Sequence, residues 1–188
     1  MQARAERFVD NPLITPEEVT PSREGWEVVS VLNAGAVKMG DEILLLARVA
    51  ERPITQEAHL LSAPILDLKS DPPDVWVLRV PQDDPDVIAG DPRLFTYRGQ
   101  TYLTSMSHLR LAKSRDGRNF EIGNRPVFQA FEWYEDFGVE DPRITPLDGR
   151  FLISYTAVSR HGIAAGLAET ADFIEFKRHG VIFAPENR

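Results

Sequence analysis

The chain has 188 residues, 43% of them hydrophobic, with three Trp, four Tyr and ten Phe, which is enough apolar material for a sizeable core. Its formal charge of −8, from 21 basic and 29 acidic residues, argues against general binding to nucleic acid or an anionic membrane, which needs a basic face. There is no cysteine, so disulfide and thiolate chemistry are excluded and a reducing compartment is expected.

Residues 1–25 carry Pro12, Pro16 and Pro21 among charges and read as an extended lead-in, with a hint of helix at its start. It contains no apolar run of signal-peptide type, and no stretch of the chain reaches the ~20 apolar residues of a membrane span, so a cytoplasmic location is expected. Short apolar runs then recur at Trp26–Val31, Ile43–Val49, Val75–Val80, Leu94–Tyr97, Thr101–Ser105, Ile144–Pro146, Phe151–Ala157 and Gly162–Ala168. They are rich in Val, Ile, Leu, Thr and Tyr and bounded by Gly, Pro or Asp, as strands are. Turn chemistry separates them at Gly40-Asp41, Arg98-Gly99, Asp116-Gly117 and Asp148-Gly149. Residues 51–90, with six prolines, read as loops around an outer strand pair, and Gln56–Ser62 as weakly helical.

An internal repeat organises these runs. Asp91-Pro92-Arg93 and the strand–turn–strand after it align on Asp141-Pro142-Arg143, 50 residues on, and a fainter copy surrounds Gly40. The segment from Ser107 to Phe120 likewise matches Gly162 to Phe176. Repeats of about 40–50 residues built from short strands mark β-propeller blades. The expectation is therefore an all-β chain with roughly three blades in residues 26–188, forming part of one propeller domain whose ligand sits where the inner strands converge.

The richest segment chemically is Phe131–Arg143, with aromatic residues, five carboxylates and an arginine. Carboxylates accept hydrogen bonds from sugar hydroxyls and aromatic faces cover sugar rings. Glu140 beside Asp141 would push one pKa up, as a proton donor requires. Alternatively, Asp141 orders a turn and pairs with Arg143. Because Asp91 precedes the same Pro-Arg, at least one of the two motifs is structural. A hairpin brings Asn33 and Arg48 to one end of a blade, and both residue types hold sugar hydroxyls or phosphate. His108 and Arg110 share a strand face and are candidate sugar contacts; Arg160 and His161 form another basic pair. Nothing in the sequence has the spacing of a zinc site, a nucleotide loop or a serine hydrolase.

Taken together, Asn11-Pro-Leu-Ile-Thr-Pro, Asn33-Ala-Gly-Ala, Leu45-Leu-Ala-Arg-Val, Ser107-His-Leu-Arg, Gly138-Val-Glu-Asp-Pro-Arg-Ile-Thr and Pro185-Glu-Asn-Arg resemble family 130 of the glycoside hydrolases, the β-mannoside phosphorylases. The resemblance runs over nearly the whole chain. It implies a five-bladed β-propeller of which this chain supplies the N-terminal part, roughly three blades, and which is inactive alone. It implies inverting phosphorolysis of terminal β-1,4- or β-1,2-mannosides to α-mannose 1-phosphate, in which phosphate replaces the general base of an inverting glycosidase. Asp141 matches the family's general acid, which passes its proton through a hydroxyl of the mannosyl ring. Asn33 and Arg48 match its mannose-holding residues and Arg188 a phosphate-binding arginine; Glu140, His108 and Arg110 are further candidates for substrate binding. The implied partners are a β-mannosyl oligosaccharide and inorganic phosphate, with no cofactor, metal, nucleic acid or membrane, and with homo-oligomerisation left open. A β-mannosidase on the same scaffold and a non-catalytic carbohydrate-binding propeller are the alternatives.

Overall fold

The computed structural model describes residues 7–185. Among the described residues, strand alternation and glycine turns give an all-β architecture of thirteen strands, and no helix there is long and apolar enough to cross a membrane. The strands are β1 (Trp26–Met39), β2 (Glu42–Pro53), β3 (Leu60–Asp67), β4 (Asp74–Pro81), β5 (Val87–Asp91), β6 (Leu94–Tyr97), β7 (Gln100–Leu103), β8 (Met106–Ser114), β9 (Glu121–Ile122), β10 (Gly138–Leu147), β11 (Arg150–Ser159), β12 (Gly162–Thr170) and β13 (Lys177–Phe183).

Two four-stranded antiparallel units dominate: β1-β2-β8-β9 and β10-β11-β12-β13. A single parallel pair, Gly138 with Ser107, joins them into one sheet. Their facing sides enclose the main core of Leu44, Leu46, Leu109, Phe128, Val139, Ile153, Tyr155, Ala157, Ala168 and Phe173. Burying such side chains contributes roughly 1.5–3 kcal/mol each for the larger ones, and the seam between the units is where that apolar surface concentrates.

The units are structural copies. Leu32 pairs with Arg48 and Gly35 with Leu46; Glu140 pairs with Thr156 and Arg143 with Ser154. Each innermost strand thus carries one extra residue at the same point, a bulge that re-aims a side chain. The offset between units is 108 residues (Leu32 to Glu140, Arg48 to Thr156) up to the end of the second strand. After the third strand it is 56. The Ser114 hydroxyl accepts from the amides of Asp116 and Gly117, and the Asp116 carboxylate from those of Arg118 and Asn119. Thr170 and Asp172 repeat this with Asp172, Phe173, Ile174 and Glu175. The difference of 52 residues equals the length of 54–105, an insertion between β2 and β8 of the first unit.

That insertion corrects the sequence reading. The 50-residue repeat pairs the hairpin β6–β7, inside the insertion, with the hairpin β10–β11. What the two share is a turn: Arg98-Gly99 and Asp148-Gly149 both have positive φ throughout, 51° and 77° against 47° and 77°, the two-residue geometry that suits twisted strands. The described residues thus form two four-stranded units rather than three. The inserted strands make a β3–β4 sheet and a β5-β6-β7 sheet around Ala63, Val80 and Phe95. Ile65 carries them across to Phe137 and Val158 beside the second unit. Residues 60–62 are strand, where helix was expected. Arg188 and the opening residues 1–6, with the hint of helix there, lie outside the described residues.

Candidate active site

The two bulges face each other. Asn33 and Asp141 are the structurally equivalent bulge residues, and both hold a left-handed backbone, φ 43° and 50°. Asn and Asp tolerate that conformation best among residues with a side chain. Gly35 makes the approach feasible, because a Cβ there would lie 2.9 Å from the Pro142 carbonyl oxygen. The Asn33 Nδ2 donates to Asp141 Oδ1 at 2.9 Å. Arg48, opposite Leu32 on β2, donates from NH1 to the same oxygen at 3.0 Å and from NH2 to Glu140 Oε1 at 2.7 Å. Its Nε donates to Ser107 Oγ at 3.0 Å. Four strands therefore converge on one arginine and two adjacent carboxylates.

Both donors to Asp141 use Oδ1, and among the described residues no hydrogen bond reaches Oδ2. The side chain is 32% exposed, so the held carboxylate remains accessible. Burial on its own raises its pKa, but the Asn33 and Arg48 hydrogen bonds and the Arg48 and Arg143 charges outweigh burial and hold the carboxyl below the ordinary aspartate value. Arg143 itself donates to backbone oxygens, those of Pro142 at 3.0 Å and Asp141 at 3.5 Å. The motif's other copy behaves differently. The Asp91 carboxylate takes hydrogen bonds from Nε and NH2 of its own Arg93, at 3.0 and 2.6 Å, on the surface, and the Arg93 side chain and amide hold it down to about 2.

His108 and Arg110 do share a face, but not this one. Arg48 is paired with Leu109, Val49 with His108 and Ala47 with Arg110. Directly opposed residues point the same way, so His108 and Arg110 lie across the β2–β8 sheet from Arg48. Arg110 is fully buried and donates to Glu51 Oε1 at 2.6 Å, His108 Nε2 at 3.0 Å and the Thr20 carbonyl at 2.7 Å. Glu51 also accepts from the amide of Ser22. The structure therefore corrects both residues from sugar contacts to a frame that ties the lead-in to the first unit. Burial first, and then the positive charges of Arg110 and Arg23, push the His108 pKa down to about 3, so its ring is neutral and accepts the Arg110 hydrogen bond.

Much of the acidic–aromatic segment before β10 is likewise framework. Glu135 is buried and accepts from Tyr155 at 2.6 Å and from Arg178 at 3.1 Å; Asp136 accepts from Arg160. Phe131 and Trp133 remain exposed, Trp133 in a T-shaped contact with His161. Ser107 is the residue at the cluster that sequence reasoning passed over. It sits beside His108 in a quoted motif, and the β2 register is the signal that separates the two. A small cavity beside the Glu51–His108 frame is lined by Ser22, Glu51, His108, Met106 and Pro73 and touches Ser107, with the insertion forming one of its sides.

The comparisons with known proteins agree with this architecture. A family model described as beta-1,4-mannooligosaccharide phosphorylase matches residues 87–187. The chain belongs to glycoside hydrolase family 130. It is 38% identical over 186 residues to a beta-1,2-mannobiose phosphorylase of Listeria innocua, covering 97% of this chain and 52% of that protein. A 1,2-beta-oligomannan phosphorylase of a Thermoanaerobacter species is 33% identical over 90 residues, 46% of this chain and 30% of its own length. The solved Listeria innocua enzyme, in complex with beta-1,2-mannobiose, superposes with a TM-score of 0.88 at 37% identity, over 96% of this chain and 52% of that one. This family member thus has an all-β, propeller-like fold, and it spans about half the length of the Listeria relative.

Proposed function

We propose that the full-length protein carrying this chain phosphorolyses terminal β-mannosides with inversion, releasing α-mannose 1-phosphate, on a five-bladed propeller to which residues 1–188 contribute the N-terminal part. The single observation that supports this best is the Asn33–Arg48–Asp141 cluster, formed at equivalent bulges of two units in a chain of the mannoside phosphorylase family. The names of its relatives favour a β-1,2 linkage. In this reading Asn33 and Arg48 orient Asp141 through Oδ1, leaving Oδ2 to carry the acid proton toward the leaving group, by way of a ring hydroxyl of the mannosyl unit. Arg48 and Glu140 hold sugar hydroxyls, Arg188 contacts phosphate, and phosphate is a co-substrate with no cofactor required.

The depressed pKa of Asp141 describes the site without substrate. A sugar covering the carboxyl deepens its burial, and a phosphate anion nearby adds a like charge; both favour the protonated form needed for acid catalysis. The test is incubation of the full-length protein with β-1,2-mannobiose, with and without phosphate. Mannose 1-phosphate released only with phosphate supports phosphorolysis. Mannose released without phosphate would make it a hydrolase, and no release would leave a binding protein.

A further inference from the structure

Arg48 belongs to the first unit, yet both carboxylates it binds lie on β10 of the second. Among the described residues its one hydrogen-bond anchor from its own unit is Ser107 on β8, and the anchored atom is Nε, the guanidinium nitrogen nearest the chain. Fixing Nε fixes the plane of the guanidinium, and with it the directions in which NH1 and NH2 donate. The Ser107 hydroxyl in turn donates to Glu140 Oε1 at 3.4 Å, so it bridges the arginine and the neighbouring carboxylate.

Ser107 is also where β8 pairs with β10. It is buried, and it forms the lone parallel pair with Gly138. Gly138 has φ +119°, and a Cβ on it would lie 2.8 Å from the Ser107 carbonyl oxygen and 2.9 Å from its amide nitrogen. Only glycine lets β10 approach β8 this closely. The approach of β10 to β8 and the placement of the Ser107 hydroxyl are thereby set together, directly beside the arginine that bridges the units.

We infer that Ser107 is a positioning residue whose hydroxyl locks the Arg48 guanidinium, and through it the Asp141 carboxylate, across the seam between the units. The inference rests on the reading of Asp141 as the proton donor. Asp141 is faced by Asn33 from β1, Arg48 from β2, and Glu140 and Arg143 from its own strand. Ser107 reaches Asp141 chiefly through Arg48, at 3.0 Å, and more weakly through Glu140, at 3.4 Å.

Ser107→Ala removes the hydroxyl and keeps the strand, whereas Ser107→Thr retains it. In the full-length protein, Ser107→Ala is expected to lower kcat for phosphorolysis of β-1,2-mannobiose by about ten- to a hundredfold, the scale of a small misplacement of a reacting group. KM should change far less, and Ser107→Thr should restore most of the loss. An activity-independent readout is the Asp141 carboxyl titration followed by NMR in the 188-residue chain: it should move to higher pH in Ser107→Ala and return in Ser107→Thr. A third readout needs no substitution. The Arg48 Nε–Hε proton of the unmodified chain should exchange slowly with water because Ser107 accepts it. Rapid exchange, or an unchanged Asp141 titration with kcat within about twofold in Ser107→Ala, overturns the inference and makes Ser107 a packing residue of the seam. If Asp141→Asn proves fully active, the acid reading fails, while the exchange and titration results still decide the positioning.

Discussion

The first and second four-stranded units share one backbone and differ in what they place on it. At the same bulge the first unit carries Asn33 and the second Asp141, both in the left-handed region. On the strand alongside, the first unit carries Arg48 where the second carries Thr156. A near-symmetric frame thus holds an asymmetric set: a neutral donor and a cation from one unit close on a carboxylate from the other. The bulge re-aims the side chain and the residue type decides the chemistry. Duplication of the strand geometry does not by itself duplicate a site.

The largest effect expected from breaking this asymmetry is at the carboxylate. Asp141→Asn keeps the shape and one hydrogen-bonding oxygen but cannot donate a carboxylic proton, so turnover in the full-length protein should fall by about 10²–10⁴-fold. Asp91→Asn, matched in sequence context but paired only with Arg93 on the surface, should leave turnover and melting temperature unchanged. Equal losses from both, with lowered melting temperatures, would return Asp141 to the role of a turn residue.

Removing the cation is the next test. Arg48→Met leaves Glu140 and Asp141 adjacent without their shared counter-ion, so the Asp141 carboxyl should titrate at higher pH by NMR, and turnover should fall by about 10²-fold. An unmoved titration would mean that Asn33 alone orders the carboxylate.

On the opposite face of β2 and β8 the same kind of change should act on stability. Arg110→Met strips a fully buried Glu51 of its arginine counter-ion, and breaking such a pair by removing one member costs about 3–5 kcal/mol. Denaturant unfolding would show it. A loss confined to activity would instead put Arg110 in the site.

The smallest predicted effect is a pH dependence from His108. Its pKa is about 3 in the folded chain and near 6.5 unfolded. Protonation therefore favours unfolding, and the stability held above pH 6.5 is lost as pH falls from 6.5 toward 3. Between pH 7 and 5 this amounts to on the order of 2 kcal/mol, and His108→Gln should flatten that part of the profile. A stability that rises on acidification would mean the buried ring carries a charge.

The sequence disclosed much of this and misplaced some of it for physical reasons. Turn glycines and short apolar runs announced the strands, and Asn33, Arg48 and Asp141 stood out through a family resemblance. The repeat was read at 50 residues because the β6–β7 hairpin uses the same left-handed turn as β10–β11. The true counterpart of Asp141, Asn33, shares its backbone conformation but not its flanking residues, and the 52-residue insertion hides the alignment. Alternation showed that His108 and Arg110 share a face. It could not say which face, since that depends on the β2 register, and the same register is what brings Ser107 to Arg48.

The most direct test of the account is leaving-group rescue of Asp141→Asn in the full-length protein. An aryl β-mannoside with a highly acidic phenol needs little protonation as it departs, so its phosphorolysis should be restored toward the unsubstituted level while that of β-1,2-mannobiose stays low. If the aryl substrate is turned over by the unsubstituted protein but is as slow as mannobiose in Asp141→Asn, with folding intact, Asp141 is not the proton donor.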